Sequence, residues 1–219
     1  MPDFAAARER MIERHIAGRG IGDPRILQAF REVPRELFVA EADAGAAYED
    51  TPLPIAAGQT ISQPYIVALM IEAAGIRPES HVLEVGAGSG YAAAVIGRIA
   101  RSVVAIERHS NLADAAAERM VRLGYDNVRV VHGDGTVDVQ QDASFDAILI
   151  AAAGREVPHR LLEQLRPGGA LVMPLGNPAA AQQLIRVARR HDGSTEHEDL
   201  GAVRFVPLVP GLGGGNGRG

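Results

Sequence analysis

The chain contains no cysteine and no lysine. Without cysteine there are no disulfides, thiolate nucleophiles or zinc–cysteine sites, an absence compatible with a reducing cytoplasm. Without lysine, Schiff-base chemistry is excluded. All 22 basic residues are arginine, set against 27 acids, and abundant alanine and glycine mark this as a composition bias. A formal charge of −5, with the arginines scattered among acids, gives no reason to expect a nucleic-acid partner held through its phosphates. Long uncharged apolar runs are also missing. The N-terminal MPDFAAARERMIERHIAGRG carries charges through its centre, so neither a signal peptide nor a membrane span is expected. None of the seven histidines forms an HExxH pair, and His191 and His197 in HDGSTEHED read as a solvated hairpin turn. No metal site is expected.

What is present suits a globular fold. A chain of 219 residues, 47% apolar and 22% charged, is long enough to bury one good core with an extension. Residues 1–80 read as helical with breaks. Asp23-Pro24 is a cap and first-turn pair for a helix carrying Ile26, Leu27 and Phe30, and Val33-Pro34 ends it. The stretch AYEDTPLPIAAGQTIS has no sustained periodicity and is the kind of long irregular segment that tends to be functional. A helix then starts at Pro64 and stops at Gly75, so Ser62 reads as its cap on periodicity alone.

From 81 to 210 apolar runs of strand length alternate with helical patterns. This predicts an α/β fold, a Rossmann-like doubly wound and mostly parallel sheet covered on both faces. QQLIRVARR and GAVRFVPLV have no long helix between them and are expected to pair antiparallel at the C-terminal edge. Residues 211–219 form a tail too glycine-rich to order by itself.

The first chemical motif is VLEVGAGSGY. It sets Gly86, Gly88 and Gly90 between a strand and a helix, where the backbone can approach a ligand and the helix start favours negative groups. A dinucleotide loop wants glycine or alanine at position 91, but Tyr91 stands there. Glu107 ends the second strand about 20 residues on, where a carboxylate can accept from both ribose hydroxyls. Asp134, in HGDG at the end of the third strand, reads either as a contact for the adenine amino group or as a plain turn residue.

Glu84 through Gly90, with Glu107 and Asp134, resembles the binding core of class I S-adenosylmethionine-dependent methyltransferases. VPRELFV, AYEDTPLPIAAGQTISQPYIVALM, the glycine loop, FDAILIAAA and VRFVPLV together resemble the protein-L-isoaspartate O-methyltransferase family, from about Asp23 to Pro210. That resemblance implies methyl transfer from S-adenosyl-L-methionine to the free α-carboxylate of L-isoaspartyl residues, leaving S-adenosyl-L-homocysteine. The partners it implies are age-damaged peptides and proteins, met by a cytoplasmic monomer.

The same resemblance makes Ser62 the active-site residue. It sets Gln59, Thr60, Ile61 and Ser62 against cofactor and substrate, Gly86 and Gly88 at the cofactor's methionine end, and Glu84 among the cofactor-binding residues. Glu107 would hold ribose, and Asp134 with Gly135 would sit at adenine. Some family members carry histidine at the position of Tyr65, so no imidazole role is carried over. The tail after Val209 departs from the pattern.

The implied chemistry suits these residues. An α-carboxyl has a pKa of roughly 3.5, so the nucleophile is ionised at neutral pH and needs positioning and desolvation rather than a base. A small-molecule or nucleic-acid methyltransferase is the rival enzyme reading, disfavoured by the acidity and by the lack of an Asn/Asp-Pro-Pro-aromatic motif. A silent cofactor-binding module would keep the loop without requiring Ser62, and Tyr91 disfavours a nicotinamide dehydrogenase.

Overall fold

Cap residues and prolines set the helix boundaries of the N-terminal third. The computed structural model describes residues 3–137, 144–177 and 180–213. Helix α1 (Phe4–Met11) starts on Asp3, whose carboxylate accepts from the Ala6 N–H. A π-turn and a 3₁₀ turn carry the chain to Gly20. Helix α2 (Pro24–Glu32) is capped by Asp23, which accepts from the Arg25 N–H at 2.8 Å, and it ends at Val33 ahead of Pro34. Helix α3 (Pro64–Ala73) ends with Gly75 at φ +65°.

The irregular segment between α2 and α3 is more regular than its sequence suggests. Residues Leu53–Pro54 (β1) and Thr60–Ile61 (β2) pair antiparallel as a small hairpin. Its tip bends through Ala57, which has a left-handed φ of +56°. Two residues per strand give no period to read, and proline inside β1 hides it further.

The remaining strands are β3 (His81–Val85), β4 (Ser102–Glu107), β5 (Val128–His132), β6 (Phe145–Ile150), β7 (Leu165–Leu175), β8 (Gln182–Arg189) and β9 (Thr195–Val203). They form one sheet in the order β5-β4-β3-β6-β7-β8-β9. The first five of that order run parallel, and β8 and β9 are antiparallel. Helices α4 (Tyr91–Gly97), α5 (Ser110–Arg122) and α6 (His159–Glu163) connect strands. The mostly parallel sheet with an antiparallel C-terminal edge is the architecture the alternating pattern predicts.

The edge strand itself differs from expectation. Only the first three residues of GAVRFVPLV belong to it: β9 is Thr195–Val203, Ala202 and Val203 pair with Gln183 and Gln182, and the chain leaves the sheet at Arg204. His197 lies within β9 opposite Val187, and only residues 191–194 make the turn. The reason is the polar character of an edge. Glu196 and Glu198 pair with Arg190 and Arg186, at 3.0 and 3.7 Å, in place of apolar alternation.

Two apolar clusters sandwich the sheet. One gathers Leu83, Ile106, Ile148 and Leu171 with Leu161 of α6. The other joins Val82, Val103, Leu149 and Val172 to Ile16, Phe30 and Ile71 of the N-terminal helices. Residues before 81 therefore share a core with the sheet. Each fully buried Leu, Ile or Phe contributes roughly 1.5–3 kcal/mol. Tyr91 shows how the join is made. It is 1% exposed and meets the rings of Phe30 and Phe38 edge-on, with centroids 6.1 and 5.4 Å away. The residue that departs from dinucleotide loops thus fastens α4 to the extension.

Candidate active site

The strand order turns around β3, whose neighbours β4 and β6 lead the chain to opposite sides. Open α/β sheets bind ligands at that switch point, outside the carboxyl ends of the strands. A cavity of about 940 Å³ opens there, within the size range of small-molecule sites. Gln59, Thr60, Ile61, Ser62, Glu84, Gly86, Gly88, Glu107, Asp134 and Gly135 all line it.

The glycine loop leaves β3 with its backbone bonded to the neighbouring strand, the Gly86 and Ala87 N–H groups both donating to Ile106 O. Gly86 and Gly88 have φ of +90° and +54°, which side chains rarely adopt. A Cβ on Gly88 would also lie 3.3 Å from Ile55 Cδ1, so the β1–β2 hairpin rests on this loop. At Gly135 the requirement is space, because a Cβ there would sit 2.5 Å from Val85 Cγ1.

Glu107 is 4% exposed, and both its oxygens already accept hydrogen bonds. Oε2 takes the Gly88 N–H and Oε1 the His109 N–H, each at 2.9 Å. Each carboxylate oxygen has a second lone-pair direction available for a ligand. Glu84 is 2% exposed, and its Oε2 has no hydrogen-bond partner. Burial first, and then the Glu107 charge, push its pKa up to about 8.

Asp134 is held from two directions. Oδ1 accepts from the N–H and hydroxyl of Thr136, at 2.9 and 2.7 Å, and Oδ2 accepts from the Gly211 N–H. Burial works to raise its pKa, but these donors outweigh burial and keep the carboxyl below its ordinary value. The Gly211 contact was hidden in the sequence. Gly211 and Gly213 also bond to Arg108 through its Nε and its carbonyl, at 3.0 and 2.8 Å. The start of the tail is thus held at the Asp134 side of the cavity, and residues 214–219 lie outside the described residues.

Ser62 does not cap α3. The N-cap is Gln63, which makes no side-chain cap bond. The N-terminal donors of the helix are otherwise engaged. Pro64 has none, the Tyr65 N–H donates to Asp50 Oδ1 at 3.0 Å, and the Ile66 N–H donates to Gln63 O. The Ser62 hydroxyl has no hydrogen-bond partner among the described residues and is half-buried on the cavity wall. The helix start therefore offers a ligand no free first-turn N–H, and the serine offers an unengaged hydroxyl. Arg35, fully buried with its Nε donating to Ala47 O at 2.7 Å and its guanidinium 4.7 Å from the Tyr91 ring, anchors the chain leading into this segment.

A nucleoside with a cationic amino-acid end fits this donor and acceptor set. The cavity offers such a ligand a buried carboxylate with one orphaned oxygen, a loop whose Gly86 and Gly88 lack Cβ atoms, and a strand-end carboxylate with spare lone pairs. The family model for protein-L-isoaspartate(D-aspartate) O-methyltransferase matches residues 6–213. The chain belongs to the protein-L-isoaspartate O-methyltransferase family. Protein-L-isoaspartate O-methyltransferase of Rhodopseudomonas palustris is 54% identical over 199 residues, 91% of each chain. That of Methylorubrum extorquens is 54% identical over 213 residues, 97% of this chain and 92% of the relative. Among solved structures, a Plasmodium falciparum family member in complex with S-adenosyl-L-homocysteine superposes with a TM-score of 0.80. It is 26% identical and covers 95% of this chain and 99% of its own. No histidine, aspartate and glutamate cluster able to hold a metal occurs among the described residues. No helix among them is long and apolar enough to cross a membrane.

Proposed function

We infer that the chain transfers a methyl group from S-adenosyl-L-methionine to the free α-carboxylate of L-isoaspartyl residues in damaged peptides and proteins. This is the activity of the family to which it belongs, and it initiates repair of such residues. When bound, the cofactor supplies a methyl group on a positively charged sulfur. We propose that Glu84, Gly86 and Gly88 hold its amino-acid end, Glu107 its ribose, and Asp134 with Gly135 its adenine. The wall made by the 1–80 extension, from Gln59 to Ser62, then lies against both cofactor and substrate.

The observation that carries the assignment to Ser62 is its unengaged hydroxyl on the wall of the cavity that Glu84 and Glu107 also line. The carboxylate nucleophile is already ionised at neutral pH, so the protein has to orient it and keep water away. Ser62 donates one directed hydrogen bond to a carboxylate oxygen and leaves the other free to attack in line. The hairpin β1–β2 encloses the site over the glycine loop. A peptide gripped through its main chain there leaves the identity of its neighbouring side chains largely open.

Two measurements test this. Labelled S-adenosylmethionine with matched isoaspartyl and aspartyl peptides should give base-labile methyl ester on the isoaspartyl peptide alone. No ester on either peptide, with normal cofactor binding, overturns the activity in favour of a silent binding module. Ser62→Ala should lower kcat by roughly 10–100-fold, with cofactor affinity within a few-fold. Because Ser62 caps nothing, its loss should change unfolding free energy by less than about 0.5 kcal/mol. Normal turnover in this variant would remove Ser62 from the mechanism.

A further inference from the structure

The charges around the cavity are sorted by depth. The three carboxylates that line it, Glu84, Glu107 and Asp134, are 2%, 4% and 7% exposed. Two arginines line the same cavity at its open side. Arg19 has a side chain 45% exposed, and Arg204 is an exposed residue. An acidic interior suits a cationic cofactor. The basic rim stands out on a chain whose formal charge is −5.

Arg19 is held in place without being used up. It follows α1 on a 3₁₀ turn that ends in Gly20. Its Nη1 bonds Asp50 Oδ2 at 3.0 Å, and its guanidinium lies on the Tyr65 ring, 3.3 Å from the centroid. Asp50 is itself fixed, because its other oxygen accepts the Tyr65 N–H at the start of α3. The Nε and Nη2 groups of Arg19 have no hydrogen-bond partner among the described residues. A cation stacked and bridged on one side presents its remaining donors with little ordering left to do.

Arg204 comes from the other end of the chain, where it leaves β9. Its neighbour Phe205 donates its N–H to Gln182 Oε1 and packs on the same apolar cluster as α2 and α3. Arg204 has no hydrogen bond or ion pair among the described residues. The rest of the rim's cationic content is engaged elsewhere, since Arg108 bonds the tail through Gly211 on the Asp134 side.

We propose that Arg19 and Arg204 form an anion-reading rim that makes this enzyme favour isoaspartyl sites flanked by acidic residues. This deepens the functional reading above and rests on it. The reacting carboxylate goes to Ser62. The rim arginines meet carboxylates a few residues away along the peptide, so their effect falls on binding rather than on the chemical step. Exposed pairs of this kind are weak singly, and two of them amount to a preference of roughly 5-fold that fades with salt.

The test uses the full-length protein and a set of isoaspartyl peptides. These carry glutamate, glutamine or lysine at each of the three positions on either side of the damaged residue. For the wild-type chain kcat/KM should follow glutamate over glutamine over lysine at one or more positions, through KM, and converge by about 0.3 M salt. Arg19→Gln with Arg204→Gln should bring the glutamate-to-lysine ratio to near one, while S-adenosylhomocysteine affinity, measured by calorimetry, stays unchanged. Arg19→Glu should invert the ratio. Misfolding cannot imitate this result, because it lowers all peptides together and weakens the cofactor as well. Equal rates for all flanking charges in the wild type, or a preference that survives the double substitution, overturn the rim alone. Failure to methylate any isoaspartyl peptide overturns the functional reading, and the rim with it.

Discussion

Glu107→Ala is expected to weaken cofactor binding by about 100-fold and to destabilise the folded protein at the same time. The first effect follows from the proposed ribose contacts, in which two hydroxyls donate to a carboxylate. Charge-assisted hydrogen bonds contribute about 1.5–3 kcal/mol each, and 1.4 kcal/mol is tenfold in affinity. The second follows from contacts already present. Glu107 accepts the Gly88 and His109 N–H groups, and alanine leaves both without that acceptor. Such orphaned donors cost about 1–3 kcal/mol each where they are buried, less where water reaches them. Calorimetry with S-adenosylhomocysteine and thermal unfolding of the ligand-free protein measure the two effects separately. Glu107→Gln should fall between, because its amide oxygen can still accept one of the two N–H groups. Unchanged affinity with lowered stability would reduce Glu107 to a support for the glycine loop.

The place of Glu107 at the end of β4 was legible in the sequence, and its contacts with the Gly88 and His109 N–H groups were not. The glycine loop, the strand-end Glu107 and the parallel sheet all rest on short-range patterns: apolar runs, a βα turn and one spacing of about 20 residues. These are printed in the order of the chain. The resemblance to the family was legible for the same reason, since its motifs are contiguous. What escaped depends on residues far apart in sequence. Asp134 meets Gly211 across 77 positions, and Arg108 meets Gly211 across 103. No local rule predicts that Gly211 and Gly213, just beyond the last strand, are held by loops after β4 and β5. The cap on α3 failed similarly. A serine two residues before Pro64 invites the reading of a cap, yet the carboxylate that takes the Tyr65 N–H comes from Asp50, 15 residues upstream. The bounds of the edge strand, though not its antiparallel pairing, were misplaced for a different reason. Its stability lies in cross-strand ion pairs and backbone bonds, and a hydropathy pattern registers neither.

Glu84 carries the second large effect, and here the sign matters. An ordinary glutamate titrates near 4.5, whereas the buried Glu84 holds its proton up to about 8. Between those values the folded ligand-free protein keeps a proton that the unfolded chain has released. The advantage this gives the folded state is complete below about 4.5 and is lost as pH rises toward 8. Linkage puts the loss on the order of 3–5 kcal/mol if the group stays as buried as it is here. Thermal unfolding of the ligand-free wild type should therefore fall more steeply between pH 5 and 8 than that of Glu84→Gln, which mimics the protonated form. A cationic ligand group beside the unpartnered Oε2 supplies the missing counter-charge and lowers the pKa, so binding at pH 7 should expel a proton. Calorimetry of S-adenosylmethionine binding in buffers of different ionisation enthalpy should show release approaching one proton for the wild type and near zero for Glu84→Gln. The same comparison should show affinity rising with pH up to about 8 in the wild type only. Equal pH slopes and equal proton release in the two proteins would mean that Glu84 does not face the cationic end of the cofactor, and that its burial serves only the packing of β3.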